Sequence, residues 1–290
     1  MTETFRIAVC LSGQPRTWKT AADNILNYFD VKVNFHTHQR VKVDFFIHTW
    51  DINSYRESDS ITREESTNYI LTNETEEEIK QKFNPIEIEF EHFDKNKFTN
   101  VWSPLFYSFM KSVHLKRKHE IENQFMYDLV IKSRFDLNFP VQEERKFGVM
   151  TNKFYIHPTN PFTAYSSSEH LPRFTREFNY ISFDDIFFYS DSQTMDIISN
   201  TYRWQKNVIY NDFKNLASTK LMDGPEFYYG PGTTLYKHII NWNIHPMGTH
   251  NTYYYLVRKD AEDKKLDSIN DWETIKQISI DWYGSTFGKL

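Results

Sequence analysis

The chain opens on a short apolar run, Arg6-Ile7-Ala8-Val9-Cys10-Leu11, that stops abruptly at Ser12-Gly13-Gln14-Pro15-Arg16. A continuous run with no alternation predicts a strand buried on both faces. Residues 17–29 then carry Trp18, Ala22, Ile25, Leu26 and Phe29 at helical spacing, one apolar stripe on one face. A second apolar run, 41–48, ends in Thr49-Trp50-Asp51. From Asn53 to Asn73 the composition turns to Ser, Glu, Asn and Thr, which predicts a mobile surface loop.

Residues 74–83 have acidic side chains first and lysines last, the order that a helix dipole favours, and close at Asn84-Pro85. Strict alternation over 86–93 predicts a half-exposed strand near a sheet edge. A long helix is expected over 103–124, with Pro104 in its first turn. A central strand follows at Tyr127-Asp128-Leu129-Val130-Ile131-Lys132-Ser133-Arg134-Phe135-Asp136 and turns polar at its end. Further on, strands are expected at 153–157, 180–189 and 252–258, with helices at 192–204 and 232–242. Strands alternating with helices predict an α/β fold, a mostly parallel central sheet in an α/β/α sandwich. Ligands then belong at the carboxyl ends of the strands.

Bulk composition narrows the class. Hydrophobic residues make up 39% and charged residues 25% of 290, enough to bury a core, so disorder is excluded. We read one domain, 1–290, with no linker and no internal repeat. The single cysteine, Cys10, rules out an internal disulfide framework and a four-cysteine zinc site. The amino terminus lacks a basic-then-apolar pattern, and no stretch approaches the roughly 20 apolar residues of a membrane span. The expected setting is cytoplasmic, without membrane insertion. A net charge of -5 argues against nonspecific attraction to nucleic acid, although Lys111, Lys116, Arg117, Lys118, Arg145 and Lys146 could form a local basic patch.

Several segments carry candidate chemistry. Ser12, Gly13, Gln14 and Arg16 follow the first strand directly, so turn N–H groups and a guanidinium could receive a phosphate; a plain tight turn is the bland alternative. The spacing of a phosphate loop or a dinucleotide fingerprint is absent. On an extended chain Arg134, Asp136 and Asn138 point the same way. Asp136 could hold a divalent metal and Arg134 could grip phosphate oxygens, or the two could form a salt bridge closing the sheet. Asp184 and Asp185 face opposite sides of a strand, so one of them could deprotonate an acceptor hydroxyl; a helix cap or an exposed turn is the alternative. Glu226, in the shaped segment Asp223-Gly224-Pro225-Glu226, is a second candidate base. His245 and His250 could complete a metal site or touch a diphosphate. No nucleophile beside a histidine is visible, which disfavours a hydrolase.

Four segments in this order, 6–16, Asp44-Phe45-Phe46-Ile47-His48-Thr49-Trp50, 127–136 and Asp184-Asp185-Ile186-Phe187-Phe188, resemble a family of GT-A type glycosyltransferases of bacteriophages, giant viruses and bacteria. The resemblance covers about residues 5 to 200. It implies a GT-A-like, Rossmann-like fold, with a nucleotide-sugar-binding half at 1–140 and an acceptor-binding half at 141–290. A nucleotide-sugar donor, of UDP type, would lie near Ser12, Gly13, Gln14, Arg16, His48, Trp50, Asp51 and Arg134. The family's metal motif is two aspartates flanking one residue. Here Arg134-Phe135-Asp136 lacks the first, leaving Asp136 as the ligand for a divalent Mn or Mg ion, with His250 as a candidate second. Asp185, Asp184 or Glu226 would be the catalytic carboxylate. The acceptor would be hydroxymethylated phage DNA or a surface saccharide. A catalytically inert nucleotide-binding module is the competing expectation.

Overall fold

The computed structural model describes residues 4–30, 40–56, 66–98, 103–139, 153–156, 186–205, 234–235, 238–239, 242, 244–248 and 255–256. The first apolar run forms β1 (Thr4–Gly13). Ile7, Val9 and Leu11 join one hydrophobic cluster and Ala8 and Cys10 the other. Alternate strand residues face opposite sides, so two separate clusters mean that both faces are covered.

One face is covered by α1 (Trp18–Asp30) and α2 (Asn73–Phe83) through Trp18, Ala22, Ile25, Ile79 and Phe83. The other is covered by α3 (Ser103–Asn123) and α4 (Ser192–Ser199) through Phe106, Phe109, Val113, Met195 and Ile198. Each Ile, Val, Phe or Met among them, buried completely, contributes about 1.5–3 kcal/mol of transfer free energy. The result is the three-layered α/β arrangement that the alternation predicts.

The remaining strands are β2 (Arg40–Trp50), β3 (Ile52–Arg56), β4 (Ser66–Ile70), β5 (Glu87–Glu91), β6 (Leu129–Ser133), β7 (Leu137–Asn138), β8 (Lys153–Ile156), β9 (Phe188–Ser190), β10 (His245–Gly248) and β11 (Tyr255–Leu256). Seven of them form the main sheet in the order β10-β8-β9-β6-β1-β2-β5. The pairs β6-β1, β1-β2 and β2-β5 are parallel. Strand β9 runs antiparallel to β6 and to β8, and β10 is parallel to β8, so only β9 opposes the common direction.

This order fixes where a ligand fits. From β1 the chain moves outward to β2 and then β5, with α1 and α2 on one face. It then crosses back along α3, on the other face, to reach β6 on the far side of β1. The carboxyl ends of β1 and β6 thus lie side by side at the point where the strand order reverses, the place where open α/β sheets bind ligands.

Three expectations need correction. The polar stretch 53–73 is not simply a loop: β3 and β4 pair antiparallel, Ile52 opposite Ile70. The two sequences, INSYR and STNYI, carry no regular alternation, so hydrophobic periodicity gave no signal there. The segment after Ser133 does not stay extended, because Phe135 and Asp136 form a turn, and Asn138 belongs to a separate two-stranded sheet with β11. Of the expected basic patch, the four described members are each paired with a carboxylate. Lys111 pairs with Glu89, Arg117 with Asp196 and Lys118 with Glu87, while Lys116 is buried against Glu120 and Asp196. Arg145 and Lys146 lie outside the described residues. No helix among the described residues is long and apolar enough to cross a membrane.

Candidate functional site

Strand β1 ends where its sequence stops being apolar. Gly13 has φ +112, a conformation that favours glycine, and Arg16 has φ 45. The Trp18 N–H closes the turn on the Pro15 carbonyl at 2.9 Å. Both backbone groups of Gly13 have partners: its N–H donates to Ser108 Oγ at 2.7 Å, and its carbonyl accepts from Thr49 Oγ1 at 2.9 Å. The N–H is thus engaged by protein rather than offered to a phosphate. Ser12 is buried beside it.

The polar end of β6 lies across from this turn, since Leu11 is in register with Ser133. Phe135 turns inward against Phe83. Asp136, 1% exposed, accepts from Arg134 Nε at 2.8 Å and Nη2 at 2.5 Å, one contact to each carboxylate oxygen. Arg16 Nη1 adds a contact to Asp136 Oδ2 at 3.5 Å, and Arg16 Nε donates to Gln14 Oε1 at 3.3 Å. Gln14, Arg16, Arg134 and Asp136 therefore converge at the adjoining carboxyl ends of β1 and β6.

The segment carrying Arg134 and Asp136 is braced from α1. Asn24 accepts from the Phe139 N–H at 2.6 Å and donates to the Phe139 carbonyl at 2.8 Å. Phe139 stacks on Tyr28 at 3.9 Å between ring centroids. Nothing in the sequence pointed to Asn24, whose role depends on helix α1 passing beside residue 139.

A second cluster forms where β2 and β5 end under α3. His48 is fully buried, with Nδ1 2.9 Å from Ser108 Oγ and Nε2 3.2 Å from Glu91 Oε2. Hydrogen bonds from His48, then Tyr107 and Lys97, hold the Glu91 carboxyl down at about 2, whereas burial lowers the His48 imidazole. An ionised Glu91 beside a neutral imidazole requires the proton on Nε2, so Nδ1 is an acceptor and shares the one Ser108 hydroxyl proton with the His48 carbonyl, 3.1 Å away. Burial and the Glu91 charge push the Tyr107 phenol up. Ser108 beside a histidine is the nucleophile arrangement that spacing failed to reveal, but Ser108 is fully buried and closed to substrate.

Ligand atoms of His48, Glu89 and Glu91 lie within 4.8 Å of one another, a grouping with the donors of a metal site. Glu89 is held by Lys111 at 2.5 Å and Glu91 by Lys97 at 3.3 Å. The sequence signal was the Glu-x-Glu alternation of β5, whose register puts Glu89 beside His48.

Trp50 stands next to this cluster but is 2% exposed, stacked on Tyr107 at 5.5 Å and edge-on to Phe93 and Phe98. It is packed away from any ligand. Asp51 accepts from the Phe93 N–H at 2.9 Å, pairs with His92 Nδ1 at 2.5 Å, and its carbonyl accepts from the Leu71 N–H at 2.6 Å. It fixes the point where the β3–β4 hairpin leaves the sheet. Asp184, Asp185, Glu226 and His250 lie outside the described residues. Ile186, which follows Asp185, has its carbonyl held by the buried Lys132 Nζ at 2.8 Å.

No family model matches the chain, and no curated protein matches it.

Proposed function

We propose that this chain is a glycosyltransferase of GT-A type that moves a sugar from a nucleotide-sugar donor, of UDP type, to a hydroxyl acceptor. The observation that carries the reading is the meeting of Arg16, Arg134 and Asp136 at the point where the strand order reverses. Open α/β sheets bind nucleotides at such a point. Guanidinium groups suit the oxygens of a diphosphate, which they can grip bidentately.

The chemistry follows from that placement. An acceptor hydroxyl oxygen bonds to the anomeric carbon, the bond from that carbon to the donor phosphate breaks, and its electron pair leaves on the nucleoside diphosphate. Arg16 and Arg134 stabilise the charge arriving on the diphosphate. In an inverting reaction the hydroxyl proton passes to a carboxylate, and Asp185, Asp184 and Glu226 are the proposed bases. The link between Lys132 and Ile186 supports the first two, since it ties the residue after Asp185 to the strand that leads into Arg134.

The pairing of Lys111, Lys116, Arg117 and Lys118 with carboxylates favours a saccharide over DNA as acceptor, because duplex binding draws on basic charge facing phosphate. The test is release of nucleoside diphosphate from a panel of sugar nucleotides, with saccharide and hydroxymethylated DNA acceptors in parallel. Turnover with one donor is expected. Nucleotide binding without turnover on any acceptor would instead identify an inert binding module.

A further inference from the structure

The family resemblance implies a divalent cation at Asp136, and the residues around that carboxylate do not fit one. Asp136 Oδ1 accepts from Arg134 Nε at 2.8 Å, and Oδ2 accepts from Arg134 Nη2 at 2.5 Å and Arg16 Nη1 at 3.5 Å. A divalent cation of this kind, even when substrate phosphates and waters supply most of its shell, needs at least one carboxylate oxygen turned toward it at just over 2 Å. Here the oxygens of a 1% exposed carboxylate face two guanidinium groups. Arginine does not lose its proton in proteins, so no change of pH vacates the position.

Resting on the glycosyltransferase reading, we infer that the site holds the donor diphosphate on Arg16 and Arg134 and takes no divalent cation at Asp136. The arrangement has a back and a front. Asp136 is buried, whereas the side chains of Arg16 and Arg134 are 31% and 18% exposed, so an arriving anion meets guanidinium edges first. Asp136 is a positioning residue. It aligns two forks that would otherwise repel each other, and Asn24 with Phe139 keeps the segment beneath it in place.

The other group with metal-binding donors is already committed. His48 points its Nε2 proton at Glu91, and Lys97 and Lys111 neutralise Glu91 and Glu89. Two cationic side chains therefore do at each cluster what a metal ion would do.

The experiment is calorimetric titration of the full chain with UDP, GDP and inorganic pyrophosphate, in EDTA and in manganese. We expect affinities in the two conditions to agree within about threefold. Charge-assisted hydrogen bonds of the kind Arg134 offers are worth about a 10- to 100-fold change in affinity, so Arg134→Gln is expected to weaken binding by that factor in EDTA. Arg134→Asp, which restores two aspartates around Phe135, is expected to make binding depend on manganese. Should Arg134 variants fail to fold, Arg16→Gln carries the same test from a more exposed position. Wild-type binding that EDTA abolishes and manganese restores would overturn the inference and leave the transferase reading standing. Failure of every probe to bind in both conditions would overturn the transferase reading, and this inference with it.

Discussion

Ser108 Oγ accepts the Gly13 N–H at 2.7 Å across 95 residues of sequence, joining the second turn of α3 to the turn at the end of β1. The same hydroxyl contacts His48 Nδ1, and His48 reaches Glu91, so one chain of hydrogen bonds runs from the edge strand β5 to the turn after β1. Its members orient one another, which makes it a support for the turn and not a reaction centre.

Removing the hydroxyl tests that support. Ser108→Ala leaves the Gly13 N–H and His48 Nδ1 without partners inside the protein, and a buried polar group so orphaned costs about 1–3 kcal/mol. The expected result is a lower urea midpoint with an unchanged slope. An unaltered midpoint would mean that water replaces Ser108 without loss.

Acid should loosen the same cluster. Glu91 titrates at about 2 in the folded chain against 4.5 ordinarily, and His48 is shifted below 6.5. A depressed folded value gives stability that is present above the unfolded value and lost as pH falls toward the folded one. Stability should therefore begin to fall below pH 6.5 through His48, and fall again between about 4.5 and 2 through Glu91. Thermal melts of Glu91→Gln should lose the lower limb of this dependence and keep the upper one.

Gly13 separates backbone strain from crowding. A Cβ built there meets no atom within 4 Å, yet φ is +112. Gly13→Ala and Gly13→Ser should therefore cost the same amount, about 1–3 kcal/mol, all of it conformational. A clear difference between the two in chemical denaturation would show that side-chain contacts matter at this position.

The buried lysine of α3 offers a fourth test. Lys116 Nζ donates to Glu120 Oε2 at 3.0 Å, Ser192 Oγ at 2.6 Å and Asp196 Oδ1 at 2.7 Å, fastening α3 to α4. Lys116→Met strands Glu120 in the interior, and breaking such a buried pair costs about 3–5 kcal/mol. The triple change Lys116→Met, Glu120→Gln, Asp196→Asn should recover part of that loss in a denaturation series.

Much of the frame was legible in the sequence because local pattern and burial agree there. The unalternating Ile7 to Leu11 run required cover on both faces and has it. The alternation at 86–93 required a half-exposed edge, and β5 is the last strand in the order. Helix α2 closes at Asn84, as Asn84-Pro85 predicts, in a left-handed cap that asparagine tolerates. Arg16 and Asp136 could be expected near each other because parallel strands align their polar ends. The His48, Ser108 and Glu91 cluster could not, since those residues meet only through the β2–β5 register and the phase of α3. Trp50, which the resemblance places near the donor, is buried among Tyr107, Phe93 and Phe98, neighbours that likewise meet it only in the folded chain.

The reversed strand β9 has a consequence for biosynthesis. The four parallel strands β5, β2, β1 and β6, with Arg16 and Arg134, are all encoded before residue 140, whereas the partner that covers the outer side of β6 comes from 188–190. Until that stretch leaves the ribosome, β6 presents a row of unpaired backbone groups flanked by apolar side chains, a template for association with other chains. Roughly fifty residues separate the two, and at a translation rate of about 5–20 residues per second that edge waits a few seconds for its partner.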